Sequence, residues 1–284
     1  MDLTSVKNIK EIAAHFDFRF SKGLGQNFLT DPSVPEEIAR ATEITDGALE
    51  IGPGFGVLTQ ALAKTGKKVV SIELDERLLK VLEYTVGEYE NVKIIHGDVM
   101  KLNLNNLITK EFGNEKISVA ANLPYYITTP ILTKLIESSL PLKNIVVMVQ
   151  KEVADRICAE PGTKAYGALT VMCRYYTVPS IVTQVSAGSF MPPPKVDSAV
   201  VKLHMCDKPN VDVKDGKMFF RVVKAAFAQR RKTLLNCLAH AFPLPKERLS
   251  ELLENAGISP SVRGETLGLN EFASIADALT DIDV

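Results

Sequence analysis

Between residues 48 and 150 the hydrophobic pattern of the chain alternates between two kinds of segment. Short runs rich in Val, Ile and Ala at 48–52, 68–74, 92–97, 117–122 and 144–150 read as buried strands. The intervening segments 57–64, 76–86, 104–112 and 130–139 read as helices. Strand and helix in alternation predict βαβ units and a mainly parallel sheet. One more helix is expected at 166–175, then strands near 180–185 and 196–204 that close one edge as an antiparallel pair. Upstream, 6–16 and 34–42 look helical, joined by a Gly-containing loop over 21–31.

Past Cys206 the pattern changes. A polar linker with a Pro, 207–215, leads into helical segments at 217–228, 233–241, 246–255 and 271–279. Gly257 is placed as a C-terminal stop and Asn270 as an N-cap. The expected architecture is α/β: a Rossmann-like domain over 1–206 with an N-terminal helical extension, and a small all-helical domain over 207–284. A length of 284 residues suits that division. Hydrophobic content of 46% and charged content of 24% are ordinary for a soluble protein, and runs such as 145–149 are too short to span a bilayer. The first residues lack the basic-then-apolar pattern of a secretory signal. Cys158, Cys173, Cys206 and Cys237 are scattered without a CxxC pair, as expected of reduced thiols in a cytoplasmic protein. The 4 His are equally scattered and suggest no metal site. A net charge of −1 gives no global pull toward nucleic acid, so any such affinity must come from local patches.

Candidate chemistry collects where the strands end. Glu50-Ile51-Gly52-Pro53-Gly54-Phe55-Gly56 turns the first strand into the first helix, and Gly52 and Gly54 let the backbone approach a ligand closely. Glu73 ends the second strand, where a carboxylate can grip a ribose diol. Asp98 ends the third, within reach of an adenine ring in the same crevice. Singly, each carboxylate could be a helix N-cap and the glycines a tight turn. In register on successive strand ends they favour an adenosine-containing ligand. A nicotinamide dinucleotide wants G-x-G-x-x-G, with its pyrophosphate on the helix N-terminus. Here G-P-G-F-G brings the third glycine one residue early. S-adenosylmethionine has no pyrophosphate, tolerates that spacing and gives Asp98 a role. Gln26-Asn27-Phe28-Leu29, after Gly23-Leu24-Gly25, either reaches its methionine end or is a capped turn before Pro32.

Asn122-Leu123-Pro124-Tyr125 ends the fourth strand. The exocyclic amine of a base is a poor nucleophile, because its lone pair is delocalised into the ring. Acceptors for both amino hydrogens draw the nitrogen toward a pyramidal, attacking geometry. Asn122 offers a side-chain carbonyl, and Pro124 biases Leu123 toward an extended conformation that can leave turn carbonyls facing a pocket. Tyr125 supplies a face for stacking, worth roughly 1–3 kcal/mol. The alternative is a strand ending in a Pro turn with an aromatic plug. Phe190, before Pro192-Pro193-Pro194, is either a second stacking wall or a loop anchor into the core.

Residues 217–232 include Lys217, Arg221, Lys224, Arg230, Arg231 and Lys232 and no acid. On one continuous helix Arg221, Lys224, Arg231 and Lys232 share a face opposite Val223, Ala226, Phe227 and Leu234. Arg230 would then point to the apolar side, which predicts a break near Gln229 or an Arg paired at the domain junction. Such a run is a solvated face or a phosphate track. Beside a base-handling pocket phosphate contact is favoured, with Lys22, Lys151 and Lys195 as extensions.

Taken together, several motifs resemble the ribosomal RNA adenine N6-dimethyltransferases, most of all their bacterial small-subunit members. They are Gly25-Gln26-Asn27-Phe28-Leu29, the Gly-rich turn after Glu50, Ile72-Glu73-Leu74-Asp75, Gly97-Asp98, Asn122-Leu123-Pro124-Tyr125, Gln150-Lys151-Glu152-Val153-Ala154, FMPPPKVDS at 190–198 and QRRKTL at 229–234. The likeness runs over nearly the whole chain. It implies a class I methyltransferase sheet of seven strands and a small C-terminal helical domain. It also implies S-adenosylmethionine contacted by Asn27, Leu29, Gly52, Gly54, Glu73, Asp98 and Asn122. The target amine would be held by Asn122 and the Leu123-Pro124 backbone, and the base sandwiched by Tyr125 and Phe190. The implied reaction is N6,N6-dimethylation of two adjacent adenosines in the 3′-terminal hairpin of 16S rRNA. The implied partner is the small ribosomal subunit, whose biogenesis the enzyme would serve as a cytoplasmic monomer. A large-subunit adenine methyltransferase conferring antibiotic resistance shares the pocket, but the full-length likeness favours the small subunit. A non-catalytic RNA-binding assembly factor would not need these pocket residues intact. A nicotinamide-dependent dehydrogenase lacks the glycine spacing and an evident proton donor.

Overall fold

The computed structural model describes residues 1–21 and 25–282. Lys22, Gly23 and Leu24, expected to extend a basic track and to loosen the upstream loop, lie outside them. Strands in chain order are β1 (Phe28–Leu29), β2 (Gly47–Ile51), β3 (Lys68–Glu73), β4 (Val92–His96), β5 (Ile117–Asn122), β6 (Leu142–Gln150), β7 (Thr177–Val185), β8 (Phe190–Met191) and β9 (Ser198–Met205). Seven of them form one sheet in the order β4-β3-β2-β5-β6-β9-β7. Neighbours from β4 to β6 run parallel, and β9 lies antiparallel to β6. All five residues of β2 are buried, as are five of the six in both β3 and β5. Burial on both faces explains why these strands read as unbroken apolar runs and not as alternations. Chain order reverses at β2, with β3 and β4 to one side and β5 and β6 to the other. The loops leaving β2 and β5 therefore diverge and open a crevice at the carboxyl ends.

Three elements have no counterpart in the sequence expectations. β1 and β8 form a separate antiparallel pair, Phe28 opposite Met191 and Leu29 opposite Phe190. A helix at Lys151–Ile157 follows β6 directly. The cap expected at Asn270 is elsewhere: the helix Leu269–Thr280 starts after Gly268, whose N–H donates to Glu271 Oε2 at 3.0 Å. Glu271 reaches back from the first turn, so Asn270 is already helical. Gly257 follows the helix Lys246–Asn255 with φ 74°, as a C-terminal stop requires.

The chain packs as two units. The first comprises Met1–Ala154 with Ser180–Met205, the second Asp155–Pro179 with Cys206–Val284. A boundary at 206 therefore differs from the packing by one segment. The helix Ala168–Tyr176 buries Val171 and Tyr175 in one cluster with Phe219 and Phe272, and the Tyr175 and Phe219 rings lie 4.7 Å apart. That apolar face has its partners among the tail helices, so Asp155–Pro179 belongs to the second unit.

Candidate active site and cofactor cleft

β2 ends in a turn that only glycine accommodates well. Gly54 has φ +60°, and a Cβ there would stand 3.1 Å from the Phe28 ring. Gly56 has φ +87°, and its Cβ would meet Val86 Cγ1 at 2.7 Å. The turn can therefore tuck against Phe28 on one side and the helix Arg77–Val86 on the other. It opens on a cleft with an empty volume of about 1130 Å³, open solvent included. Asn27, Leu29, Gly52, Gly54, Glu73, Asp98, Asn122, Leu123, Pro124 and Tyr125 all line it. One cleft thus gathers every predicted cofactor, amine-holding and base-stacking residue except Phe190.

The carboxylates are held in distinct ways. Glu73, 5% exposed, accepts from the Gly54 N–H at 3.2 Å on Oε2 and from the Asp75 N–H at 2.8 Å on Oε1. Burial pushes its pKa up, against the pull of those two N–H groups. With both oxygens fixed to backbone, the carboxylate is a rigid acceptor with lone pairs left for a diol. It does not cap the following helix, whose N-cap residue is Glu76. Asp98 lines the cleft, and its Oδ1 accepts from the Met100 N–H at 2.9 Å within the turn after β4. It is no helix N-cap, since the next helix, Leu104–Phe112, is capped by Asn103. Asp75, two residues past Glu73, tethers the loop before β1. It takes a hydrogen bond from Gln26 Nε2 at 3.0 Å and a paired contact from Arg77, which draws its pKa down. The upstream loop is thereby pinned to the end of β3. Behind the cleft, Glu50 is fully buried, with Thr59 Oγ1 at 2.7 Å and Ser71 Oγ at 2.6 Å both donating to Oε2. Its Oε1 has no partner.

The amine-holding turn is built from β5. Asn122 Nδ2 donates to the Asn27 carbonyl at 3.3 Å, which orients the amide so that Oδ1 remains as acceptor. The Pro124 carbonyl accepts from the Ile127 N–H at 3.1 Å and from Thr128 Oγ1 at 3.2 Å. It is thus engaged in continuing the chain into the helix Thr128–Glu137. None of these bonds uses the Leu123 carbonyl, so of the two carbonyls considered it is the better second acceptor. Tyr125 is half-buried, and its hydroxyl shares a 2.7 Å hydrogen bond with Ser198 Oγ at the start of β9. That bond fixes where the hydroxyl end of the ring lies.

Phe190 is not at the cleft. It is 4% exposed, its backbone pairs with Leu29, and its ring joins the core of the first unit. The anchor alternative describes it, because pairing with β1 turns its side chain inward. The aromatic that sequence reasoning missed is Tyr126, 59% exposed and lining the cleft beside Tyr125. Its exposure is set by the fold, so no local pattern in the sequence announces it.

In the second unit, the helix Gly216–Ala228 buries Met218, Phe219, Val222, Val223, Ala225 and Ala226. Arg221 and Lys224 are exposed on its other face. The helix stops at Gln229, as Arg230 required. Arg230 is paired inside the second unit, with Glu265 at 3.0 Å and with the Lys164 carbonyl. Arg221 lies 4.4 Å over the Phe242 ring. Arg231 and Lys232 are exposed in the turn that follows.

The lining fits S-adenosylmethionine by its charges. It carries the carboxylates of Glu73 and Asp98 and, among the described residues, no Lys or Arg. A pyrophosphate would be repelled there, whereas a sulfonium is a cation. A family model described as ribosomal RNA adenine dimethylase matches residues 17–281. Ribosomal RNA small subunit methyltransferase A of Geobacillus thermodenitrificans (strain NG80-2) is 50% identical over 284 residues, 98% of this chain and 97% of that protein. The protein of the same name from Bacillus cytotoxicus is 49% identical, with the same coverage. A solved dimethyladenosine transferase from Plasmodium falciparum superposes with a TM-score of 0.74 at 28% identity, over 89% of this chain and 97% of its own. The 23S rRNA methyltransferase ErmE gives 0.71 at 25% identity, over 89% and 100%. Sequence likeness along nearly the full length and a shared fold have one reading: the chain belongs to the ribosomal RNA adenine dimethylase family.

Proposed function

We propose that this protein uses S-adenosylmethionine to convert two adjacent adenosines in the 3′-terminal hairpin of 16S rRNA to N6,N6-dimethyladenosine. It would act on the small ribosomal subunit in the cytoplasm, as a step in subunit biogenesis. The observation that carries the reading is the meeting of Glu73, Asp98 and the Asn122 amide in one cleft. The fold is close to both a dimethyladenosine transferase and a 23S rRNA methyltransferase. Near half identity to proteins named for the small subunit favours the first.

When bound, the cofactor supplies a methyl group already activated on a positive sulfur. The chain's residues then have mainly to orient the amine. Asn122 Oδ1 and the Leu123 carbonyl accept its two hydrogens and draw the lone pair out of ring conjugation. A neutral amide cannot take a proton, so Asn122 orients and does not act as a base. Tyr125, fixed through Ser198, stacks on a base flipped out of its helix. Tyr126 offers a second aromatic face at the mouth. The second unit would hold RNA backbone through Lys224, Arg231 and Lys232, with Arg221 less free and Arg230 committed to Glu265.

Unmethylated small and large subunits, each incubated with S-adenosylmethionine and mapped by mass, test the proposal. Two adjacent dimethyladenosines in the small-subunit RNA are expected. Product on the large subunit alone would overturn it.

A further inference from the structure

Three backbone carbonyls converge on one ammonium beside the cofactor cleft. Lys134, on the helix Thr128–Glu137, donates from Nζ to the carbonyl oxygens of Val99 at 2.9 Å, Met100 at 2.8 Å and Leu102 at 3.0 Å. An ammonium has three donors and no acceptor, so every proton is used. Those carbonyls belong to the turn that follows Asp98. Its N–H groups are satisfied from the other side: Asp98 Oδ1 accepts from Met100, and the Asp98 carbonyl accepts from Lys101 and Leu102, each at 2.9 Å. The turn is held between a carboxylate and an ammonium.

Its position gives this arrangement a consequence. Asp98 and Val99 line the cleft, and so does Ile131, one helical turn before Lys134. The helix itself continues from the Tyr125–Ile127 turn, and its first residue, Thr128, bonds the Pro124 carbonyl. Lys134 therefore joins the Asp98 turn to the element that carries the amine-holding residues.

We propose that Lys134 is a positioning residue for methyl transfer. It keeps the Asp98 turn in register with the 122–125 turn, so that the cleft is already shaped for the adenosyl end of the cofactor. The inference rests on the methyltransferase reading given above, and its test separates the two. Lys134→Met keeps an aliphatic stem and leaves three carbonyls unpaired, while Lys134→Arg restores charged donors. Calorimetry on the wild type comes first: without S-adenosylmethionine binding the methyltransferase reading itself fails, before any variant is made. Given binding, Lys134→Met is expected to raise both Kd and KM for S-adenosylmethionine about tenfold, as the loss of charge-assisted hydrogen bonds implies. KM for the RNA should stay within about twofold, and Lys134→Arg should recover most of the loss. In the cofactor-free Lys134→Met protein, amide exchange should quicken at Met100 and Leu102. Unchanged Kd and KM, or a lowered melting temperature with normal KM, would sink the proposal. If Lys134→Met does not fold, Lys134→Gln carries the same measurements. If neither folds, Lys134 is a stability clamp only and the proposal is overturned.

Discussion

Glu50 shows how much one side chain can ask of its surroundings. Burial raises its pKa to about 7, even though two hydroxyls donate to it and pull the other way. In the unfolded chain it ionises near the ordinary glutamate value. The folded state therefore keeps a proton that the unfolded state gives up as pH rises from about 4.5 to 7. Stability from this residue is complete below that window and lost across it, by on the order of 3 kcal/mol. Glu50→Gln removes the titration. Its stability relative to wild type should climb between pH 4.5 and 7 and then level off, as read by denaturant unfolding at a series of pH values. A flat difference would mean that Glu50 is solvated in a way its burial denies. Asn122 makes the opposite demand, for orientation at little cost in stability. Its side chain makes one 3.3 Å bond to the Asn27 carbonyl and is only half-buried. Asn122→Ala should lower the methylation rate about 10²-fold or more while the melting temperature hardly moves. A variant with normal turnover would remove Asn122 from the proposed chemistry.

At the scale of elements, the glycine turn after β2 is the most sensitive joint. Gly56→Ala places a side chain in the left-handed region and 2.7 Å from Val86 Cγ1. A loss of about 2 kcal/mol or more is expected, seen as a lower denaturation midpoint with an unchanged slope. The same logic separates two arginines that look alike in sequence. Arg230→Ala should destabilise the second unit, since it strips Glu265 and the Lys164 carbonyl of a partner. Arg231→Ala should leave melting unchanged. The elements easiest to foresee were β2, β3, β5 and β6, because burial on both faces writes a long apolar run into each. Carboxyl-end residues such as Glu73, Asp98 and Asn122 were legible for a related reason, since strand ends fix where ligands bind. β1 and β8 were not, because two-residue strands carry no period and exist only through a partner far along the chain. Phe190 misled on that account, its pairing with Leu29 being invisible locally. The place of Asp155–Pro179 in the second unit is not legible locally, because chain order says nothing of where Tyr175 finds Phe219.

For the whole molecule, a net charge of −1 means that RNA affinity has to be local. Lys224, Arg231 and Lys232 are exposed on or just beyond one helix of the second unit. If each meets a phosphate, each replacement by Ala should lower the slope of log affinity against log salt by about 1. Filter binding to a small-subunit RNA fragment across a salt series measures this, and three unchanged slopes would exclude the face. The pairing of β1 with β8 also bears on how the molecule is made. Phe28 and Leu29 emerge early in synthesis but wait for Phe190 and Met191, and the Tyr125 hydroxyl waits for Ser198. Contacts between such distant segments carry the largest loop-closure cost and form late. A nascent chain halted after β6 holds five parallel strands and a glycine turn but lacks the partners that seat Leu29 and Tyr125. The enzyme thus has no finished cleft until nearly all of its first unit has left the ribosome, so synthesis itself sets the earliest moment at which modification can begin.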